Sequence, residues 1–250
     1  MATFDDLLAE GESVPIEGWD FSWFEGRATE QRPSWGYAGL MARRMATASR
    51  ALDVQTGGGE VLATIGVPPP LLVATEGWAP NVAVARRRLA PIGALVVEAA
   101  AEGCLPFAAG VFDLVVSRHP VTVRFDEVAR VLAAGGSYVS QQVGAGSAHE
   151  LTEAMLGPWP VGAARRPDRA AALAVGAGLD VVDLRTEALR TELFDIAAVV
   201  VLLRKVVWIV PGFTVAAYRA PLLALHERIV ARGPFVAHAQ RFLIEARKPG

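Results

Sequence analysis

ALDVQTGGGE, residues 51–60, carries a short apolar run ending in an acid, Asp53, and then three consecutive glycines, Gly57, Gly58 and Gly59. A second apolar run, LLVAT (71–75), ends in another acid, Glu76. Strand, tight glycine turn opening a helix, strand and carboxylate make up the first half of a nucleotide-binding α/β unit. Glycine lets the turn take positive φ and lets a ligand approach with no Cβ in the way. A carboxylate at the end of the second strand can accept two hydrogen bonds from a ribose diol.

The loop narrows the ligand. A dinucleotide fingerprint needs G-x-G-x-x-G, but counting from Gly57 puts Leu62 in the last glycine position, and no lysine is near to complete a P-loop. Asp53 would repel a pyrophosphate and attract a cationic amine. S-adenosylmethionine, with an ammonium, a sulfonium and no phosphate, satisfies both conditions. The alternative is a glycine-rich turn that binds nothing.

Beyond the loop the chain continues GWAPNVAVARRRLAPIGALVVEAAAEGCLPFAAGVFDLVVSRH and then DEVARVLAAGGSYVSQQVG. With the glycine loop and Glu76, this series resembles the seven-stranded class I S-adenosylmethionine-dependent methyltransferase family over about residues 51–144. The resemblance implies a Rossmann-like, mostly parallel sheet with an antiparallel last strand, helices on both faces and a helical cap. It implies that the turn after the first strand holds the methionine part of the cofactor and that Glu76 holds the ribose. The segment before "LPF" then lies beside the adenine, and "FDLVVS" ends next to the methyl group. On this alignment the cofactor contacts are Asp53, Gln55, Gly57, Gly58, Glu76, Gly77, Ala101, Glu102 and Ser117. Two departures stand out. Gln55 occupies a position where the family usually has glycine, and only Glu102 is near the place, Ala100 or Ala101, where the family often has an adenine-binding aspartate.

Composition sets outer bounds. The 250 residues suit one α/β domain with a cap, and an apolar fraction of 52% gives ample core. A net charge of −2 offers no global attraction for nucleic acid or an anionic membrane. The single cysteine, Cys104, excludes an internal disulfide and any cysteine-cluster metal site, as expected of a cytoplasmic chain. The acidic start MATFDDLLAEGE lacks the order of a signal peptide, and the apolar run at residues 196–203 is too short to span a bilayer.

Periodicity predicts strands near 51–55, 70–76, 94–98, 112–117, 136–142, 179–187 and 239–246, and an all-round apolar, buried helix over 194–208. The expected division is an N-terminal helical cap (1–50), the cofactor-binding core (51–190), a helical insertion roofing the site (191–236) and the final strand (237–250). Ligands of open α/β sheets bind beyond the carboxyl ends of the strands, where the strand order reverses. That edge gathers the cofactor residues with Arg118 and His119.

Methyl transfer is an in-line displacement, so alignment can supply much of the acceleration. A base is needed only when the acceptor loses a proton. His119 is the best-placed base, against the alternative of a histidine bonded to a neighbouring loop. Arg118 could pair with an acceptor carboxylate or phosphate, or alternatively with Glu127. His149 could also face the pocket, whereas His226 and His238 belong on the surface. No histidine pair has metal-ligand spacing, so no metal is expected. The aromatic group Trp19, Phe21, Trp23 and Phe24, with Trp159 and Trp208, could line a cavity for a flat acceptor, or simply pack the cap.

Three functions compete: methylation of a small molecule, methylation of ribosomal or transfer RNA, and S-adenosylmethionine binding without catalysis. RVLAAGGSYVSQQVG…HELTEAMLG also resembles part of the ribosomal guanine methyltransferases, but their four-ligand zinc module cannot be built from one cysteine. Oligomeric state is open.

Overall fold

Strands buried on both faces read as unbroken apolar runs, and the central strands of this chain do so. The computed structural model describes residues 2–16 and 21–250. Its elements are α1 (Phe4–Ser13), β1 (Ala28–Glu30), α2 (Tyr37–Met45), β2 (Arg50–Asp53), β3 (Leu71–Glu76), α3 (Ala79–Leu89), β4 (Leu95–Glu98), β5 (Phe112–Arg118), α4 (Phe125–Val131) and β6 (Leu132–Val143). They continue with α5 (His149–Leu156), α6 (Pro167–Gly176), β7 (Asp180–Leu193), α7 (Ile196–Lys205), α8 (Arg219–Arg232) and β8 (Phe235–Arg247). The chain forms two compact units, one of residues 1–32, 145–162 and 188–240, the other of residues 33–144, 163–187 and 241–250.

The second unit holds β6, β5, β2, β3 and β4 with the first part of β7 and the last part of β8, in the order β7-β8-β6-β5-β2-β3-β4. β4, β3, β2, β5 and β6 are mutually parallel, and β8 runs antiparallel to β6. Alternation along each strand feeds two cores. Leu52, Val115, Tyr138 and Ile244 face Phe125 and Val128 of α4 and Ala170 and Ala174 of α6. Ala51, Val116, Val139 and Leu243 face Met41 and Met45 of α2 and Ala85 and Leu89 of α3. Helices therefore cover both faces, as the sequence predicts. Numerical order reverses between β2 and β5, and open α/β sheets bind ligands at the carboxyl ends of the strands flanking such a point.

The first unit is mainly helical. α7 is buried on nearly every side and packs with Leu8 of α1, Leu151 of α5 and Leu222 and Leu225 of α8. Gly11 lets α1 come close, since a Cβ there would lie 2.9 Å from the Val200 Cβ. Arg204 caps the end of α1 by donating to the carbonyls of Gly11 (2.6 Å) and Val14 (2.9 Å). Within this unit β1 pairs antiparallel with the end of β7, Ala28 opposite Leu193. β1 is the strand the sequence does not predict: among the described residues the sheet has eight strands rather than seven.

A second difference lies in the glycine turn. Instead of opening an α-helix, it leads into a single 3-10 turn, Leu62–Thr64. The left-handed Gly57 and Gly59 (φ 65° and 79°) break the helical φ/ψ run, and Pro68, Pro69 and Pro70 soon follow. The turn is held by side-chain packing instead: a Cβ on Gly59 would lie 2.8 Å from the Leu89 Cγ of α3. Gly59→Ala therefore meets both a backbone and a packing penalty and should destabilise the protein by about 2–3 kcal/mol. Gly57→Ala, with open space around the added carbon, should cost about 1 kcal/mol. Urea denaturation of both variants gives the comparison, and equal losses would contradict the packing role of Gly59.

Candidate active site

Glu76 ends β3 with its carboxylate turned toward the glycine loop. Oε2 accepts the N–H of Gly57 at 2.8 Å, and Oε1 accepts those of Gly77 and Trp78 at 2.9 Å each. A carboxylate offers about four lone-pair positions, so one on Oε2 is left for a ligand hydroxyl. Gly77 is required beside it, because a Cβ there would lie 2.9 Å from the Ala99 carbonyl oxygen. Gly57 has φ 65° and nothing within 4 Å of where a Cβ would sit, so the loop offers an open backbone surface next to the carboxylate.

Asp53, at the end of β2, is buried. Burial first, and the Glu76 carboxylate second, push its carboxyl from 3.8 up to about 7, against the opposing pull of the Thr56 hydroxyl. A buried acid poised near neutrality suits a cationic ligand, whose charge would favour the ionised form.

Gln55 follows with φ 59°. Its Oε1 accepts the Val121 N–H at 2.7 Å, and its Nε2 donates to the Thr122 carbonyl at 2.7 Å. It thereby ties the end of β2 to the segment after β5. Beneath it lies a cavity of about 20 Å³, little more than one water needs, with Gln55, Ala101, Leu105, Ser117, Thr122 and Tyr138 among its walls. Glu102, expected beside Ala101, is exposed, and its backbone carbonyl accepts a bond from Arg124.

Ser117, the expected cofactor contact, borders that cavity and also belongs to a polar network. It is buried, and its hydroxyl lies 2.8 Å from both the Tyr138 and the Ser140 hydroxyls. Its carbonyl accepts the Tyr37 hydroxyl at 2.8 Å. This polar network joins β5, β6 and α2. Burial pushes the Tyr138 hydroxyl up to about 12 and that of Tyr37 well above its ordinary value, so both remain protonated donors.

His119 is also left-handed, with φ 53°. The Trp35 indole, which can only donate, bonds to the Gln141 Oε1 at 2.7 Å. The Gln141 amide nitrogen therefore points at the His119 Nε2, 2.8 Å away. An amide N–H donates, so Nε2 accepts and the ring proton sits on Nδ1. Burial, with Arg118 and Arg241 adding to it, lowers the imidazole from 6.5 to about 3. His119 is thus a neutral ring whose basic nitrogen is engaged by Gln141; it can take a proton there only if Gln141 turns away. Arg118 is exposed at the end of β5. The suggested partner Glu127 is instead held by Arg130 at 2.7 Å and by the Leu105 N–H at 2.6 Å.

Trp35, Tyr37 and Gln141 went unrecognised as site residues from sequence alone. The signal available was the polar pair Gln141-Gln142 closing an apolar strand, the pattern of a buried polar network. Of the other candidates, His149 pairs with Glu153 and His238 with Glu150, both in the first unit. Trp23 and Phe24 meet edge to face and pack on that unit's core, whereas Trp19 lies outside the described residues. Among the described residues no group of three or more His, Cys, Asp or Glu could hold a metal ion, and no helix is long and apolar enough to cross a membrane.

Residues 52–140 match the family model described as a methyltransferase domain. No curated protein matches the sequence. Among solved structures, a candidate methyltransferase (BH2331) from Bacillus halodurans is similar at 18% identity and a TM-score of 0.61, covering 86% of this chain and 100% of its own. The YcgJ protein from Bacillus subtilis is similar at 19% identity and a TM-score of 0.60, covering 85% and 98%. The [4+2]-cyclase SpnF is similar at 17% identity and a TM-score of 0.52, covering 98% and 93%. The family match is confined to residues 52–140, and the likeness to these structures shows a shared Rossmann-like α/β fold.

The raised Asp53 carboxyl has a consequence for stability. Between pH 4 and 7 the folded chain holds a proton that the unfolded chain has released, so this group's contribution to stability falls as pH rises through that window. Asp53→Asn should be more stable than the parent at pH 8 by about 1–3 kcal/mol, and the gap should close near pH 4. Urea denaturation at both pH values measures it, and a gap that widened toward acid would contradict the assignment.

Proposed function

We propose that this protein is a methyltransferase that transfers the methyl group of S-adenosylmethionine to a small-molecule acceptor. The observation that carries the reading is the Glu76 carboxylate facing open left-handed backbone at Gly57, on the strand edge where the sheet order reverses. Glu76 would hold the ribose through its remaining acceptor position, the loop backbone from Gln55 to Gly58 would meet the methionine part, and Asp53 would face its ammonium. Gly77 and Ala101 would border the adenosine, with Glu102 at the rim. The cofactor supplies an electrophilic methyl on sulfur, open to in-line displacement.

The residues of this chain contribute alignment more than acid–base chemistry. His119 is a neutral ring oriented by Gln141, better set to position an acceptor by hydrogen bonding than to strip it of a proton. Arg118, at the carboxyl end of β5, would face an anionic part of the acceptor. An acceptor that is already nucleophilic, such as an amine or thiolate, needs no more than this.

The features that would favour RNA are weak here. Among the arginines that could form a local patch, Arg88 is bonded to Glu60 and Arg166 to Asp168. The net charge of −2 provides no compensating field.

Titration calorimetry with S-adenosylmethionine tests the proposal, with micromolar binding expected. Glu76→Ala should weaken that binding by about 1–3 kcal/mol through loss of buried hydrogen bonds. Absence of heat at millimolar ligand, or an unchanged affinity in Glu76→Ala, would overturn the placement of the cofactor.

A further inference from the structure

Gln55 occupies backbone that favours glycine. Left-handed φ is disfavoured for a residue carrying a Cβ unless its surroundings compensate, and here two side-chain bonds of 2.7 Å do so. Those bonds cross from the end of β2 to Val121 and Thr122, in the same segment that carries the left-handed His119. They span the point where the sheet order reverses, and the Gln55 side chain walls the cavity there. With the bonds in place this cavity, bordered by Gln55, Ala101 and Ser117 but not by Gly57 or Glu76, has room for about one water, so the part of the crevice beside Ala101 and Ser117 has no space for the cofactor. The two bonds tie no secondary-structure ladder together, so breaking them leaves the sheet intact.

We propose that Gln55 is a clasp: its amide must release Val121 and Thr122 before the crevice admits S-adenosylmethionine, so the release limits cofactor entry. The proposal rests on the cofactor reading above and goes beyond it by assigning a gating role to the one residue that replaces the usual glycine.

Stopped-flow tryptophan fluorescence with S-adenosylhomocysteine, on the wild-type chain and on Q55N and Q55G, tests it. Asparagine tolerates left-handed backbone and keeps an amide, but is one methylene too short to reach both partners. Glycine removes the side chain altogether and suits the backbone. The wild-type association rate should reach a plateau as ligand increases, set by clasp opening. In Q55N and Q55G association should be faster by about tenfold or more, the scale of losing two hydrogen bonds. Hydrogen exchange at the Val121 amide should be faster in both variants before any ligand is added. Equal association rates in all three proteins overturn the clasp, whatever the Val121 amide does, and so does a wild-type rate that climbs without a plateau. If none of the three binds, clasp and cofactor reading both fall; binding by all at one rate removes the clasp alone.

Discussion

The carboxylate of Glu76 organises the carboxyl-end edge of the parallel strands, where the candidate site lies. Its two oxygens gather three backbone N–H groups, one from the glycine loop after β2 and two from its own strand end. Buried N–H groups without partners are costly, so the loop conformation and the carboxylate sustain each other. Because no helix N-terminus follows the glycines, the usual source of positive potential for a phosphate is missing. What remains is a carboxylate edge with a second acid, Asp53, beside it. That electrostatic arrangement favours a cationic nucleoside compound and disfavours a pyrophosphate.

The same edge is tied to the segment after β5 and to α2 through polar contacts rather than apolar packing. Gln55 links β2 to the segment after β5, Gln141 links Trp35 to His119, and the hydroxyl group of Tyr37, Ser117, Tyr138 and Ser140 joins α2 to the sheet. Networks of this kind fix side-chain orientation when every member is satisfied. They also explain why His119 and Ser117, both near the expected methyl position in the chain, are committed to neighbours.

Much of this was legible in the sequence. The strands near 70–76, 94–98 and 112–117 announce themselves as apolar runs ended by polar residues, and the observed β3, β4 and β5 agree within a residue at each end. Glu76 at the end of its strand was readable because strand–glycine–strand–acid is a spacing rule with a physical basis. The glycine turn misled in one respect: three glycines suggested a helix start, but two of them adopt left-handed backbone, which a helix cannot use. β1, with three residues ATE, carries too little pattern to distinguish it from loop. The resemblance puts Ser117 beside the methyl group, but its bonds to Tyr138 and Ser140 on the neighbouring strand are not readable from β5 alone. Such assignments depend on contacts distant in sequence, and no local window contains them.

The similarity to structures as different as a candidate methyltransferase and a [4+2]-cyclase shows that this fold hosts more than one chemistry, so the account stands or falls at the site itself. The most direct measurement is a crystal structure of the protein grown with S-adenosylhomocysteine. The account predicts a ribose hydroxyl on the Glu76 Oε2, the amino acid end over Gly57 near Asp53, and the Gln55 amide detached from Thr122. A sugar bound away from Glu76, or a Gln55 bridge still closed with the ligand outside the crevice, would contradict it.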